Sequence, residues 1–256
     1  MRDKIKNPAA SLNLPDHQLY GSDLIAEALR EQRFPYICLN PGASYRGLHD
    51  SLVNHLGNQT PEIITCMHEE HAVGIAQGYA KITDKALAVA VHSNVGLMHA
   101  SMGVFNAWCD RVPMLILGAT GPLDAAKRRP WIEWIHTTID QGSMVRGFTK
   151  WDDQPASPEA AVESIRRGVI LTNTAPSGPV YVNLDVSIQE QKIDVRPTFD
   201  DISHFPTPDN AEPPKAALAE ALGILSRAKH PFIFCGRGGR SEAEWNNRIK
   251  LAERLN

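Results

Sequence analysis

The most constraining feature of this sequence is an alternation of short apolar runs with longer amphipathic ones. Residues 36–39, 62–67, 86–92, 114–119 and 180–184 are rich in Val, Ile, Leu and Cys and are bounded by Gly or Pro, as buried strands are. Between them, residues 22–32, 45–56, 70–82, 97–109 and 158–172 carry helical spacing, with Leu24, Ile25, Ala28 and Leu29 on one stripe of the first. Strands that are apolar on both faces must be covered on both faces. The chain therefore predicts an α/β fold, a parallel sheet with helices on both faces, over residues 1–185. Residues 186–214 hold Pro197, Pro206, Pro208, Pro213 and Pro214 among polar residues and read as a linker. Residues 215–228 then predict a helix, 231–235 a strand and 241–255 a second helix, the start of a second α/β domain over 215–256. One such unit cannot bury a core alone, so it is expected either to dock on the first domain or to be the start of a domain that is cut short here.

Charge narrows the partners. With 26 Lys+Arg against 29 Asp+Glu, and no basic run beyond Lys127-Arg128-Arg129, the footprint of a nucleic-acid or anionic-membrane binder is missing. No apolar stretch approaches the roughly 20 residues of a membrane helix. The N-terminal residues mix charges and lack the apolar core of a secretory signal, which predicts a cytoplasmic protein. Cys38, Cys66, Cys109 and Cys235 lie far apart without a C-x-x-C pair and are expected to be reduced thiols.

Four motifs carry potential chemistry. His68-Glu69-Glu70-His71 fails the H-E-x-x-H zinc template because position 72 is Ala, and no metal ligand set is expected. Its two glutamates follow a strand and open a helix. For Glu70 the plain reading is stabilisation of the helix N-terminus. Glu69, about 100° away around the helix, is placed to face inward, where apolar surroundings are expected to raise a carboxyl's pKa and let it share a proton with a nitrogen base. Asn40-Pro41-Gly42-Ala43-Ser44 ends the first strand, either as a simple turn or as close backbone approach to a ligand. Ser44 lacks the second Gly of G-x-S-x-G, which argues against serine hydrolysis. His92-Ser93-Asn94-Val95-Gly96-Leu97-Met98-His99 follows a strand, and its histidines are either structural or acid/base groups. Gly236-Arg237-Gly238-Gly239 misses the dinucleotide fingerprint because position 241 is Ser.

Taken in order, Asn40-Pro41-Gly42, the run from Cys66 through His68-Glu69-Glu70-His71 to Ala80, His92 to Gly96, Arg111-Val112-Pro113 to Gly118, and Ser177-Gly178-Pro179-Val180-Tyr181-Val182 resemble the pyrimidine-binding domain of thiamine-diphosphate enzymes such as acetolactate synthase and benzoylformate decarboxylase. The resemblance covers about Gly21 to Asp185, and the segment from Lys215 on is similar to the start of that family's central domain. It implies that Glu69 is the catalytic glutamate that hydrogen-bonds the cofactor's aminopyrimidine ring. It places Pro41, Gly42 and His99 beside the cofactor, and it makes His92, at the position of a benzoylformate decarboxylase histidine and an acetolactate synthase threonine, a proton donor or acceptor toward the substrate oxygen.

Departures from the pattern bear on the substrate. Ala43 stands where benzoylformate decarboxylase has a serine, with Ser44 one place later. His99 replaces an asparagine of both relatives, and His136 and Thr137 stand at an acetolactate synthase Phe-Gln pair. Ser44, His92 and His136 are the candidate substrate contacts, and residues 131–136, with two Trp, are either a pocket wall or a packed surface loop. The Gly-Asp-Gly signature that anchors Mg²⁺ in the family does not occur in this sequence, so the Mg²⁺ ligands are expected outside it. FAD is compatible with the family's central domain, but no pattern here supports it. The implied function is a thiamine-diphosphate-dependent decarboxylase or carboligase of a small-molecule 2-oxo acid, benzoylformate-decarboxylase-like, working as a homodimer or homotetramer. The alternatives are an acetolactate-synthase-type ligase, a non-catalytic subunit of a split enzyme, and a plain nucleotide-binding α/β domain.

Overall fold

The computed structural model describes residues 18–129, 133–236, 238–239 and 241–255, apart from the Trp134 side chain. The N-terminal segment read for a signal, Trp131 of the proposed pocket wall and Arg237 of the glycine turn lie outside these residues. The chain divides into two compact units, one reaching to Pro208 and one starting at Asp209.

The first unit begins with β1 (Leu19–Tyr20) and α1 (Gly21–Glu31), followed by β2 (Tyr36–Leu39), α2 (Arg46–Asp50), β3 (Glu62–Thr65), α3 (Glu69–Thr83), β4 (Ala88–Ala90), α4 (Ser93–Cys109) and β5 (Met114–Thr120). It continues through β6 (Asp152–Asp153), α5 (Pro158–Asn173), β7 (Pro179–Asp185), α6 (Val186–Gln189) and β8 (Lys192–Ile193). Six strands form one sheet in the order β3-β2-β4-β5-β7-β6, and every pairing in it is parallel. β1 and β8 make a separate antiparallel pair.

Strand alternation sends side chains to two cores. Ile37, Leu39, Ala88, Ala90, Leu115, Leu117, Val180 and Val182 pack against Leu24, Ile25 and Leu29 of α1 and Ile165 of α5. Cys38, Val89, Val91, Met114, Ile116 and Tyr181 pack on the opposite face against Ala72, Val73 and Ala76 of α3 and Leu97, Ala100 and Val104 of α4. Each fully buried Leu, Ile or Val on these faces contributes about 1.5–3 kcal/mol. This is the parallel sheet covered on both faces that the alternation predicts.

Three local expectations are corrected in this unit. The 62–67 run forms only a four-residue strand, half-exposed because β3 is an edge with one neighbour. The 45–56 helix is broken into a 3₁₀ turn at Ala43–Tyr45, α2, and a π turn at Ser51–His55. Ser51 and His55, which bracket that π turn, are tied to α1 through Ser51 Oγ to Asp23 Oδ1 (2.7 Å) and His55 Nε2 to Glu27 Oε1 (2.8 Å). The expected linker starts too early: Val186, Ile188, Gln189 and Ile193 are buried, and Gln189 Nε2 donates to the Ser44 carbonyl at 3.0 Å. The proline-rich part follows only after β8.

In the second unit, α7 (Lys215–Arg227) and α8 (Glu242–Leu255) form where helices are predicted. The predicted strand at 231–235 does not: Phe232 and Phe234 are exposed, and no strand is assigned among the described residues there. A strand needs a neighbour to satisfy its backbone, and the described residues of this unit offer none. No helix of the described residues is long and apolar enough to cross a membrane.

Candidate active site at the sheet switch point

The order β3-β2-β4 makes the chain leave β2 toward one side of the sheet and return as β4 on the other. In open α/β sheets such a switch point opens a crevice at the carboxyl ends of the strands. The motif residues gather there: Asn40 to Tyr45 follow β2, His68 and Glu69 follow β3, and His92 follows β4.

Glu69 is the first residue of α3 and only 4% exposed, whereas Glu70 is exposed. Helix α3 starts cleanly because His68 acts as its cap, its Nδ1 accepting the Glu70 amide at 3.2 Å. Burial pushes the Glu69 carboxyl up. Hydrogen bonds from the Asn40 side chain, from its own backbone amide and from His99 outweigh burial and hold it below its ordinary value of 4.5. His99 Nδ1 lies 3.1 Å from Oε2. Helix α4 comes this close because Gly96 has no side chain: a Cβ there would lie 2.8 Å from Glu69 Oε1. Tyr45 completes this wall. Its hydroxyl is buried without a hydrogen-bond partner among the described residues. Burial first, then the charges of Glu69 and Cys66, push its phenol well above the usual range.

The second cluster is built on His92. Ser44 Oγ sits 3.0 Å from its Nδ1, the Tyr45 ring meets it edge-on at 6.3 Å, and the His136 ring lies 4.8 Å away. Burial, then the neighbouring His136, lower the His92 pKa below 6.5, so the ring is neutral at neutral pH. Ser93 turns the chain from β4 into α4 with a φ of 54°, a left-handed conformation uncommon for a non-glycine residue. Its hydroxyl holds the turn, 2.6 Å from Asn94 Oδ1 and 3.2 Å from the His136 carbonyl. The two clusters are joined through Tyr45 and Gly96.

Gly42 has a specific reason to be glycine. Its backbone is extended, but a Cβ would fall 2.2 Å from Cγ and Nδ1 of His92. The close approach at this turn is thus to the His92 ring. Pro41 is exposed and lines an outer groove with Arg46 and His49. Gly42→Ala is expected to expel the imidazole from the Ser44 contact and move its titration up toward 6.5. Histidine NMR against pH checks this, and an unmoved His92 titration contradicts it.

The structure therefore joins Glu69 with His99, and Gly42 and Ser44 with His92 and His136. It adds Asn40 and Tyr45, to which the sequence assigned no role. Donor atoms of His68, Glu69 and His99 lie within 4.8 Å of one another. Two of these atoms are used in hydrogen bonds, His68 Nδ1 by the helix cap and Glu69 Oε2 by His99. His71 stands beside His68, ring to ring at 5.7 Å, outside that group.

Comparison with known proteins decides the family. Residues 19–144 match the family described as thiamine pyrophosphate enzyme, N-terminal TPP binding domain. This region is a thiamine pyrophosphate enzyme N-terminal domain. The chain is 30% identical over 221 residues to the acetolactate synthase large subunit of Lactococcus lactis, covering 85% of this chain and 36% of that one. It is 26% identical over 213 residues to a Pseudomonas aeruginosa protein named as a 2-ketoarginine decarboxylase, covering 82% of this chain and 35% of that one. The chain thus spans little more than a third of these relatives. An X-ray structure from Mycobacterium smegmatis, assigned to the thiamin diphosphate-dependent enzymes, shares the fold. Its TM-score is 0.73 at 20% identity, over 93% of this chain and 43% of that one.

Proposed function

We propose that this chain supplies the pyrimidine-facing half of the active site of a thiamine-diphosphate enzyme that acts on a 2-oxo acid by decarboxylation or carboligation. The observation that carries the reading is Glu69: an ionised, buried carboxylate at the sheet switch point, with one oxygen held by His99 and a partnerless buried Tyr45 hydroxyl beside it. A buried polar atom without a partner costs about 1–3 kcal/mol, and a bound polar ligand relieves it. The residues present fit the cofactor's aminopyrimidine ring. Glu69 would hold that ring and Tyr45 would face it, with Gly96 keeping the wall thin. When bound, the cofactor supplies the electron sink for cleavage beside a 2-oxo group. The chain's own part is to offer an ionised carboxylate at Glu69 that accepts a hydrogen bond from the ring, to exclude water, and to exchange a proton with the substrate oxygen at His92, oriented by Ser44 and paired with His136. The sequence holds no Gly-Asp-Gly, so the diphosphate and Mg²⁺ belong to another stretch of polypeptide, consistent with a homodimer or homotetramer.

The test of the reading is exchange of the cofactor's C2 proton in the complete protein, compared between wild type and Glu69→Gln. A product assay separates the two reactions. Aldehyde released from a 2-oxo acid supports simple decarboxylation, the reaction that a neutral His92 in place of threonine favours. Acetolactate formed from pyruvate supports the ligase reading, which the similarity to the acetolactate synthase large subunit favours.

A further inference from the structure

His99 and His68 lie face to face, their ring centroids 4.7 Å apart and their planes 21° from parallel, and hydrogen bonding fixes the tautomer of each. A carboxylate only accepts, so the 3.1 Å contact between His99 Nδ1 and Glu69 Oε2 requires the proton on Nδ1. The Glu70 amide only donates, so its 3.2 Å contact with His68 Nδ1 requires that ring to carry its proton on Nε2. The stack stops His99 from turning away, and the capped start of α3 stops His68 from moving.

We propose that His99 is a positioning residue for Glu69: by donating from Nδ1 it commits Oε2, and it leaves Oε1, lying against Gly96, as the oxygen offered to the cofactor. The last clause rests on the function proposed above, whereas the clamp itself does not. One other side chain turned toward Glu69 acts beside it. Asn40 reaches the carboxylate from the end of β2, where it shares the load. Tyr45 and His92 act on Glu69 only through their charge environment, without a hydrogen bond to it. Glu70 is exposed and His71 stands beyond His68.

The geometry makes a side-chain-specific demand. The amide nitrogen of Asn occupies the place of Nδ1 of His, whereas that of Gln occupies the place of Nε2. The experiment uses the full chain without added cofactor and reads the Glu69 carboxyl titration by ¹³C NMR in wild type, His99→Asn and His99→Gln, together with the ¹⁵N tautomer signature of His99 in wild type. The expected results are an Nδ1–H tautomer, a Glu69 titration kept low by Asn, and one that rises with Gln. An Nε2–H tautomer in wild type, or a Glu69 titration that does not move in His99→Gln, overturns the proposal. The wild-type tautomer decides it even if a variant fails to fold. Thiamine diphosphate affinity, measured separately by calorimetry on the complete protein, is expected to fall about tenfold in His99→Gln, the worth of one hydrogen bond to a charged group. If the NMR results hold and the affinities do not differ, the clamp stands and the cofactor reading fails.

Discussion

Replacing Glu69 by glutamine is expected to slow C2 proton exchange of thiamine diphosphate by about 10²–10⁴, the usual contribution of a positioned acid/base group. The substitution preserves shape and keeps an amide oxygen that His99 or Asn40 can donate to, and its cost to folding is limited to about one hydrogen bond to a charged group, ~1.5–3 kcal/mol. The two effects separate by pH. Because the Glu69 carboxyl titrates below its ordinary value, the folded state binds fewer protons than the unfolded state does. Its contribution to stability is complete above pH 4.5 and is lost as pH falls through the lower, folded value. The stability gap between wild type and Glu69→Gln should therefore be constant from neutral pH down to about 4.5 and close below it, while the exchange defect persists at neutral pH. Denaturant unfolding at several pH values checks the first, and deuterium exchange followed by NMR checks the second. Exchange within about twofold of wild type would sink the assignment of Glu69 as the acid/base partner of the cofactor's ring.

The parts of this fold that were legible in the sequence are those whose neighbours repeat. β5 and the first half of β7 are apolar because helices cover both of their faces, and α1 shows its stripe because one core lies beneath it. β6 is only Asp152 and Asp153, two charged residues that join the sheet because Tyr181 and Val182 offer them a free strand edge. Nothing in a dipeptide signals that. The 231–235 run fails in the opposite way: its composition suits a strand, but a strand exists only with a partner. At the site, the inward turn of Glu69 follows from helical geometry alone, since one residue step separates it from exposed Glu70. The Glu69–His99 contact spans 30 positions and depends on Gly96 letting α4 approach, so no local pattern reveals it. Likewise, Gly42 reads locally as a turn glycine, and only the path of β4 shows that the His92 ring occupies the space where its side chain would be.

The glycine that ends the Leu115-Ile116-Leu117-Gly118 run has a similar long-range cause, and its replacement has the largest expected effect on stability. Gly118 lies in the middle of the sheet, paired with Asn183, and its backbone geometry would accept alanine. The obstacle is Tyr181 on the neighbouring strand: a Cβ at position 118 would lie 1.8 Å from its hydroxyl and 2.4 Å from Cζ. The ring has no room to withdraw, because Tyr181 is fully buried, accepts from Gln141 Nε2 at 2.8 Å and donates to Asn183 Oδ1 at 3.2 Å. Asn183 is in turn held by Gln154, and Gln141 also donates to the Ala119 carbonyl at 3.2 Å. Gly118→Ala must therefore move the backbones of β5 and β7 apart or eject the phenol from its buried network. Overpacking costs about 1–3 kcal/mol, and stranding a buried hydroxyl costs about as much again. The sum, about 2–6 kcal/mol, is a large part of the roughly 5–15 kcal/mol that holds a domain folded. Urea unfolding should show this loss. The same substitution made in a Tyr181→Val background, where the ring is gone, should cost much less, giving a coupling of about 2 kcal/mol or more in the double-mutant cycle. Additive effects of the two substitutions would show that Gly118 answers to the strand backbone and not to Tyr181. Coupling would show that the small residue at 118 is required by the ring at 181 on the neighbouring strand.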